Sequence, residues 1–474
     1  MDNTKDLKNN FFFYVWIIFL ILLIAYSVYI FFSADGLALN LKPHTDSIVG
    51  YVSFKMILGL YFFIAVFNIR RIKDKKAWLW IILSVGLITR IILIPSQPVL
   101  EDDYYRYLWD GAVTANGINP YLYSPLDAME HTETDVPKKL FELSDESGEI
   151  IKNINHPHIR TIYPVLSQLV FAAAYLTSPW EYWSWKLYLL LFEVILLILL
   201  IKTLTHLKLP VIFISLYWLN PIVIHEFFNA AHMDLLAILF VILALYLFVK
   251  YKSIYAFVIL ALAVGFKLWP LVLLPLLLRS YCDDKKQILR YLGLFLGIVI
   301  VLFIPVLLSQ LDESLGFIIY ASKWINNAAF YTIFKWLIQQ IVSILSISVS
   351  QIGFINRIGI VVLFLICTYF IIRQVPENQL QFYKKAFLIV AVLYLISPTQ
   401  FPWYYTWMVP FLAVRPMLSQ LLYPLLLPLY QLTYLADYII YIEHIPILIL
   451  FLLELKGYIW KDWFGNLEAN LIKS

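Results

Sequence analysis

The chain has 474 residues, of which 62% are hydrophobic and only 14% charged. A soluble surface needs about a quarter charged residues, so this composition, with a mean hydropathy of +0.80, excludes a soluble globular domain and points into a bilayer. The formal net charge of +4 decides little, because in a membrane protein the placement of charge carries the information.

At about 20 residues per crossing, the apolar runs predict an all-α integral membrane protein of about 12 to 14 transmembrane helices, with residues 1–474 forming a single polytopic domain. Strand alternation is absent, which excludes an outer-membrane barrel. The first run, Phe11 to Phe32, lacks a small-residue cleavage pattern and reads as a retained anchor. Further spans are predicted near 49–69, 77–95, 185–204, 211–228, 233–250, 288–308, 354–372, 386–398, 403–415, 419–436 and 445–460. The stretch 254–279, interrupted by Pro270 and Pro275, reads as two half-spans meeting near Lys267. Tyr163 to Tyr175 and Tyr331 to Val349 read as re-entrant or interfacial helices. Cys282 and Cys367 lie far apart without metal-ligand spacing, so neither a disulfide framework nor a zinc site is expected.

Arg70, Arg71, Lys73, Lys75 and Lys76 stand against only Asp74 between the second and third spans, and such a basic loop belongs in the cytoplasm. Crossing outward then makes residues 96–160 an external loop, the longest polar segment. Its twelve acidic and five basic residues give a net charge of −7, which agrees with that side.

The densest chemistry sits at the start of this loop, in Glu101-Asp102-Asp103-Tyr104-Tyr105-Arg106-Tyr107-Leu108-Trp109-Asp110-Gly111. At 3.6 residues per turn Asp103, Arg106, Tyr107 and Asp110 share one helix face and Trp109 points away from it. A carboxylate at the lip of an apolar cavity is partly desolvated, which raises its basicity toward that of a group able to take a hydroxyl proton. Tyr104, Tyr105 and Tyr107 suit sugar rings, whose faces are apolar and whose rims hydrogen-bond. In a helix only one of the adjacent Asp102 and Asp103 is expected to face a cavity, and either is a candidate base. Asp103 and Asp110 can equally brace a juxtamembrane helix through Arg106.

The run Asp103 to Gly111, together with Gly117-Ile118-Asn119-Pro120-Tyr121, resembles the first external loop of bacterial polytopic glycosyltransferases of the GT-C type, especially those similar to polyprenyl-phosphate-mannose-dependent mannosyltransferases. The likeness continues through Tyr163-Pro164 with Gln168, Asn220-Pro221, Asn229 with His232 and Asp234, Lys267 with Pro270, and Pro402-Trp403-Tyr404 with Trp407. The resemblance implies an enzyme of a bacterial inner membrane whose active site faces the periplasm or exterior. Such an enzyme takes a sugar from a polyprenyl-phosphate donor and passes it, with inversion, to a glycan, lipid or protein acceptor. Its external carboxylate maps onto Asp103. Asn119, Tyr163, Trp403 and Tyr404 become candidates for acceptor or lipid contact.

Two further clusters fit that chemistry. His232 is a candidate for donor phosphate or a sugar hydroxyl, with Asp234 holding its tautomer. Lys267, a charge near membrane depth, is a candidate phosphate clamp shared with Arg106, or else snorkels to an interface. The aromatic run Phe401 to Trp407 is expected to form an interfacial belt, or to guide sugar or polyprenyl chain. Metal dependence stays open: no cofactor is required, yet Asp102 and Asp103 also suit a divalent cation. No nucleic-acid partner is expected. A transporter or flippase is one rival, disfavoured because Glu193 and Lys267 are the few charges within spans and no repeat is visible. A polymerase or ligase of diphosphate-linked glycans is another, for which only Arg106 and Arg160 are offered on the long loop.

Overall fold

The computed structural model describes residues 3–69, 72, 75–130, 136–344 and 352–457. Arg70, Arg71, Lys73, Asp74, Glu133, Asp135 and the ends of the predicted 331–349 and 445–460 segments lie outside the described residues. The protein is an all-α polytopic membrane protein. Among the described residues the only strand-like pairings are two isolated bridges, Arg160 with Leu315 and Asn326 with Thr399.

Among the described residues, seven helices are long and apolar enough to cross a bilayer: Phe11–Leu37, Thr45–Phe67, Lys75–Leu93, Tyr182–His206, Asp234–Tyr251, Ile352–Ile372 and Gln379–Ile396. An eighth forms if Val211–Trp218 and Pro221–Phe228, bent by 54°, count as one span. The bend has a local cause. Asn220 is extended and its side chain accepts from the amides of Ile222 and Val223, while Pro221 fits the first helical position.

The remaining apolar runs are shorter, broken or, like the 18-residue Lys285–Leu302 with Lys285, Lys286 and Arg290, more charged, so among the described residues the expected 12 to 14 crossings are not 12 to 14 continuous helices. Prolines do most of the breaking, because each removes a backbone donor and clashes with the preceding turn. The 403–415 run becomes two short helices, Pro402–Tyr405 and Val409–Val414. The 419–436 run becomes Leu418–Leu426 followed by a 3-10 turn, Leu427–Leu432. The 254–279 stretch divides as its prolines predict: Tyr255–Phe266 ends at an extended Lys267, and Trp269–Leu273 and Leu274–Arg279 follow. Val165–Thr177 is a 13-residue helix, too short to span.

Ionisable side chains inside the spans are more numerous than expected. Besides Glu193, the spans bury Lys55, Arg90 and Lys186, and the bent pair buries Glu226. Desolvation makes such groups costly unless paired, and they are paired. Arg90 bonds Glu193 and the Trp218 carbonyl, Lys186 donates to the carbonyls of Leu93 and Ser96, and Lys55 donates to the Tyr51 hydroxyl. This pairing suits packing glue between helices.

The 96–160 segment carries its own helices, beginning with Asp103–Ala115. That helix lies so close to Val165–Thr177 that a β-carbon at Gly111 would come 2.5 Å from the Phe171 carbonyl oxygen. Trp109 turns away from the acidic end and stacks with Trp180 in a small separate core. This close seat fixes the height at which Asp103 meets the rest of the molecule.

Candidate functional site

Two strained corners present the site. Leu100 and Ala231 both adopt left-handed backbone, φ +53° and +66°, immediately before Glu101 and His232. Such conformations cost non-glycine residues of order 1–3 kcal/mol and persist only where the surroundings enforce them. The surroundings here are hydrogen bonds. Asn229 accepts from the Val99 amide and donates to Ser96 Oγ and the Gln97 carbonyl. Trp185 Nε1 donates to the Ala231 carbonyl at 2.7 Å. These bonds tie the segment leading to Glu101 against the loop leading to His232.

Glu101 Oε1 accepts from the amides of Asp102 and Asp103, capping the Asp103–Ala115 helix. Its Oε2 lies 3.3 Å from His232 Nε2. Glu226 Oε2 lies 3.4 Å from that nitrogen, and on the other edge of the ring Nδ1 lies 4.0 Å from Asp103 Oδ2 and 3.5 Å from the Tyr107 hydroxyl. The ring is fully buried and stacks on Trp403, centroids 3.9 Å apart.

Burial pushes the Asp103 carboxyl up to about 6, with Glu101 adding repulsion and His232 and Asn155 pulling the other way. Burial likewise raises Glu101, and raises Asp102 with further repulsion from Glu101 and Asp103. The His232 imidazolium is disfavoured by burial, though Glu226 and Asp103 oppose the shift. Three adjacent carboxyls in partly dry surroundings resist being charged together.

Glu101, Asp102 and Asp103 line a cavity of ≈ 800 Å³, whereas His232 and Glu226 are buried beside it and are not among its lining residues. Asp102 precedes the helix and Asp103 begins it, so both border the cavity, contrary to the expectation that only one would. Asp102 Oδ1 accepts from Asn155 at 2.6 Å and also borders a smaller cavity of ≈ 230 Å³. Arg106, Tyr107, Tyr163, Lys267, Trp403 and Tyr404 all reach the main cavity. Lys267 is no snorkelling residue: its ammonium meets Asp234 Oδ1 at 2.6 Å and sits over the Tyr404 ring at 4.5 Å. Trp407 Nε1 donates to the same Asp234 oxygen, so Asp234 orients Lys267 where the sequence suggested that it orients His232.

Other predicted residues fall elsewhere. Asp110 is buried behind the cavity, paired with Arg106 Nε at 2.8 Å and accepting from Thr161 and Gln168. The bracing account of Asp110 fits its surroundings. Asn119 bonds the Pro305 carbonyl and the Tyr121 amide away from the acidic wall. Trp403, Tyr404 and Trp407 are buried around His232 and Lys267, so they do not form an exposed belt. Sequence reasoning overlooked Glu226, an in-span carboxylate whose cost in membrane was a usable signal. It also overlooked Asn155, which donates to Asp102, and Arg357, which borders the cavity and donates to the carbonyls of Ala321 and Trp324; no motif marks either. No protein-family model, curated protein or solved structure matches this chain.

Proposed function

We propose that the protein is a membrane glycosyltransferase that moves a sugar, mannose on the resemblance above, from a polyprenyl-phosphate donor to an acceptor hydroxyl on the non-cytoplasmic face. One observation carries the reading: the Asp103 carboxyl, made more basic by burial, borders a cavity that Lys267 and the aromatic rings of Trp403 and Tyr404 also line. A carboxyl near 6 is ionised at neutral pH yet binds a proton about a hundredfold more tightly than an ordinary aspartate, as a general base requires.

The cavity also suits a lipid-linked substrate. Its lining also includes Ile319, Ile360, Leu393 and Val361, the last 56% exposed on the apolar helix Ile352–Ile372. In the proposed function the polyprenyl chain enters along these apolar side chains. In the proposed reaction the acceptor hydroxyl gives its proton to Asp103 as its oxygen attacks the anomeric carbon. The bond to the phosphate oxygen breaks, the phosphate keeps the electron pair, and attack from the opposite side inverts the centre. Lys267 offsets the charge gathering on the leaving phosphate, and Trp403 and Tyr404 offer faces to the sugar.

The test incubates the purified full chain with short-chain polyprenyl-phosphate mannose and follows release of polyprenyl phosphate by mass spectrometry. Release that disappears in Asp103→Asn supports the reading. Turnover of diphosphate-linked glycans alone would transfer it to the polymerase class, and no turnover of any lipid-linked sugar would sink it.

A further inference from the structure

We propose that Glu101, Asp103 and His232 form a binding site for a divalent transition-metal cation, with the open side of the ion facing the cavity. The three side chains each offer one ligand atom, and these atoms all lie within 4.8 Å of one another. With bonds of about 2.0–2.2 Å, ligand atoms around an ion stand roughly 3 to 4 Å apart, so the set closes around Nε2 by side-chain rotation, Asp103 turning from the Nδ1 side, where its Oδ2 lies at 4.0 Å. The three come from two distant stretches of chain that the Asn229 hydrogen bonds hold together.

A second observation points the same way. His232 Nε2 is fully buried and makes no hydrogen bond, although carboxylate oxygens of Glu101 and Glu226 stand at 3.3 and 3.4 Å. A buried nitrogen without a partner is costly, and carboxylates clustered around an imidazole edge are the surroundings an ion takes. The ring has little freedom to turn elsewhere, because it stacks on Trp403. Four carboxylates, Glu101, Asp102, Asp103 and Glu226, crowd this corner against two cations, Lys55 beside Glu226 and Lys267, which Asp234 already matches. The Glu101 and Asp103 side chains are 11% and 23% exposed, so an ion reaches them from the cavity and keeps open positions there for an anionic oxygen such as a phosphate's. One imidazole with carboxylates favours Mn²⁺ or Zn²⁺ over Mg²⁺, which binds nitrogen poorly. The site stands whether or not the chain transfers sugar.

Mn²⁺ is the probe. Titrated into the purified full chain in nanodiscs, it should bind one equivalent, read from loss of the free-ion electron paramagnetic resonance signal, and should raise the melting temperature. Glu101→Gln and His232→Asn should each weaken binding at least tenfold, and a tenfold excess of Mg²⁺ should not displace the ion. Asp102→Asn should leave binding within about threefold. If His232→Asn fails to fold, Glu101→Gln, an isosteric change at a partly exposed rim, decides the matter alone. Absence of saturable stoichiometric binding up to 1 mM Mn²⁺, or equal binding by wild type and Glu101→Gln, would overturn the proposal.

Discussion

Asp103 and Lys267 are held by opposite means, one by lost water and the other by a gained partner, and each predicts its own behaviour. Because the Asp103 carboxyl is raised to about 6 when no cation is bound, the proposed transfer rate in protein stripped of divalent cations should climb as pH rises through that value and level off above it. Asp103→Asn should lower turnover by about 10² to 10⁴ while the melting temperature holds, and Asp102→Asn serves as control. Inactive Asp102→Asn beside active Asp103→Asn would move the base by one residue. Lys267 needs a different design, since Lys267→Ala alone strands a buried Asp234 carboxylate and should cost about 3 kcal/mol in thermal melts. Lys267→Met with Asp234→Asn should recover most of that stability. Donor binding still weakened in the double variant would tie Lys267 to the phosphate, whereas unchanged affinity would leave it a structural cation.

At the scale of elements, the helix from Asp103 was legible because its apolar and polar positions repeat at 3.6 residues, and the Trp109 side was read correctly from the same period. What the period does not carry is which polar groups turn inward. Arg106 borders the cavity yet pairs with Asp110 behind it, where Thr161 and Gln168, on a later segment, complete the shell around Asp110. The left-handed corner at Ala231 was equally hidden, since alanine announces no turn. Ala231→Gly should leave stability within about 1 kcal/mol. Ala231→Val, with a branched β-carbon in a left-handed position, should lower it by about 2 kcal/mol and loosen His232, as seen in the melting temperature and in Mn²⁺ affinity. Equal melting of the two variants would mean that the corner stores no strain.

For the whole molecule, charge asymmetry between the Arg70 to Lys76 region and the 96–160 segment predicts opposite sides of the bilayer. Lys152 and Lys76 are exposed, and in a chain with Cys282 and Cys367 replaced they are the sites to use. An impermeant thiol reagent should label Lys152→Cys from outside intact cells and Lys76→Cys only after permeabilisation; the reverse pattern would place the acidic wall in the cytoplasm and end the proposed mechanism. The same wall shapes stability. Carboxyls raised on folding bind more protons in the native state than in the unfolded one, so their contribution is favourable at low pH and is lost as pH climbs from about 4 through 6 for Asp103 and through about 7 for Glu101. With Asp103→Asn and Glu101→Gln combined, melting temperature should vary less over that window than in wild type.

The sequence by itself determined the solvent, the all-α class, the proline-broken half-spans around Lys267 and the acidic segment with its helix. Each of these follows from local hydropathy, charge and backbone restriction, which act over a few turns of chain. Tertiary structure alone decided that Glu101 and Asp103 meet His232, that Glu226 faces the same ring, and that Asp234 belongs to Lys267. Those meetings join residues far apart in the chain, and only the close seating of helices, with buried polar groups compelled to find partners, brings them within reach.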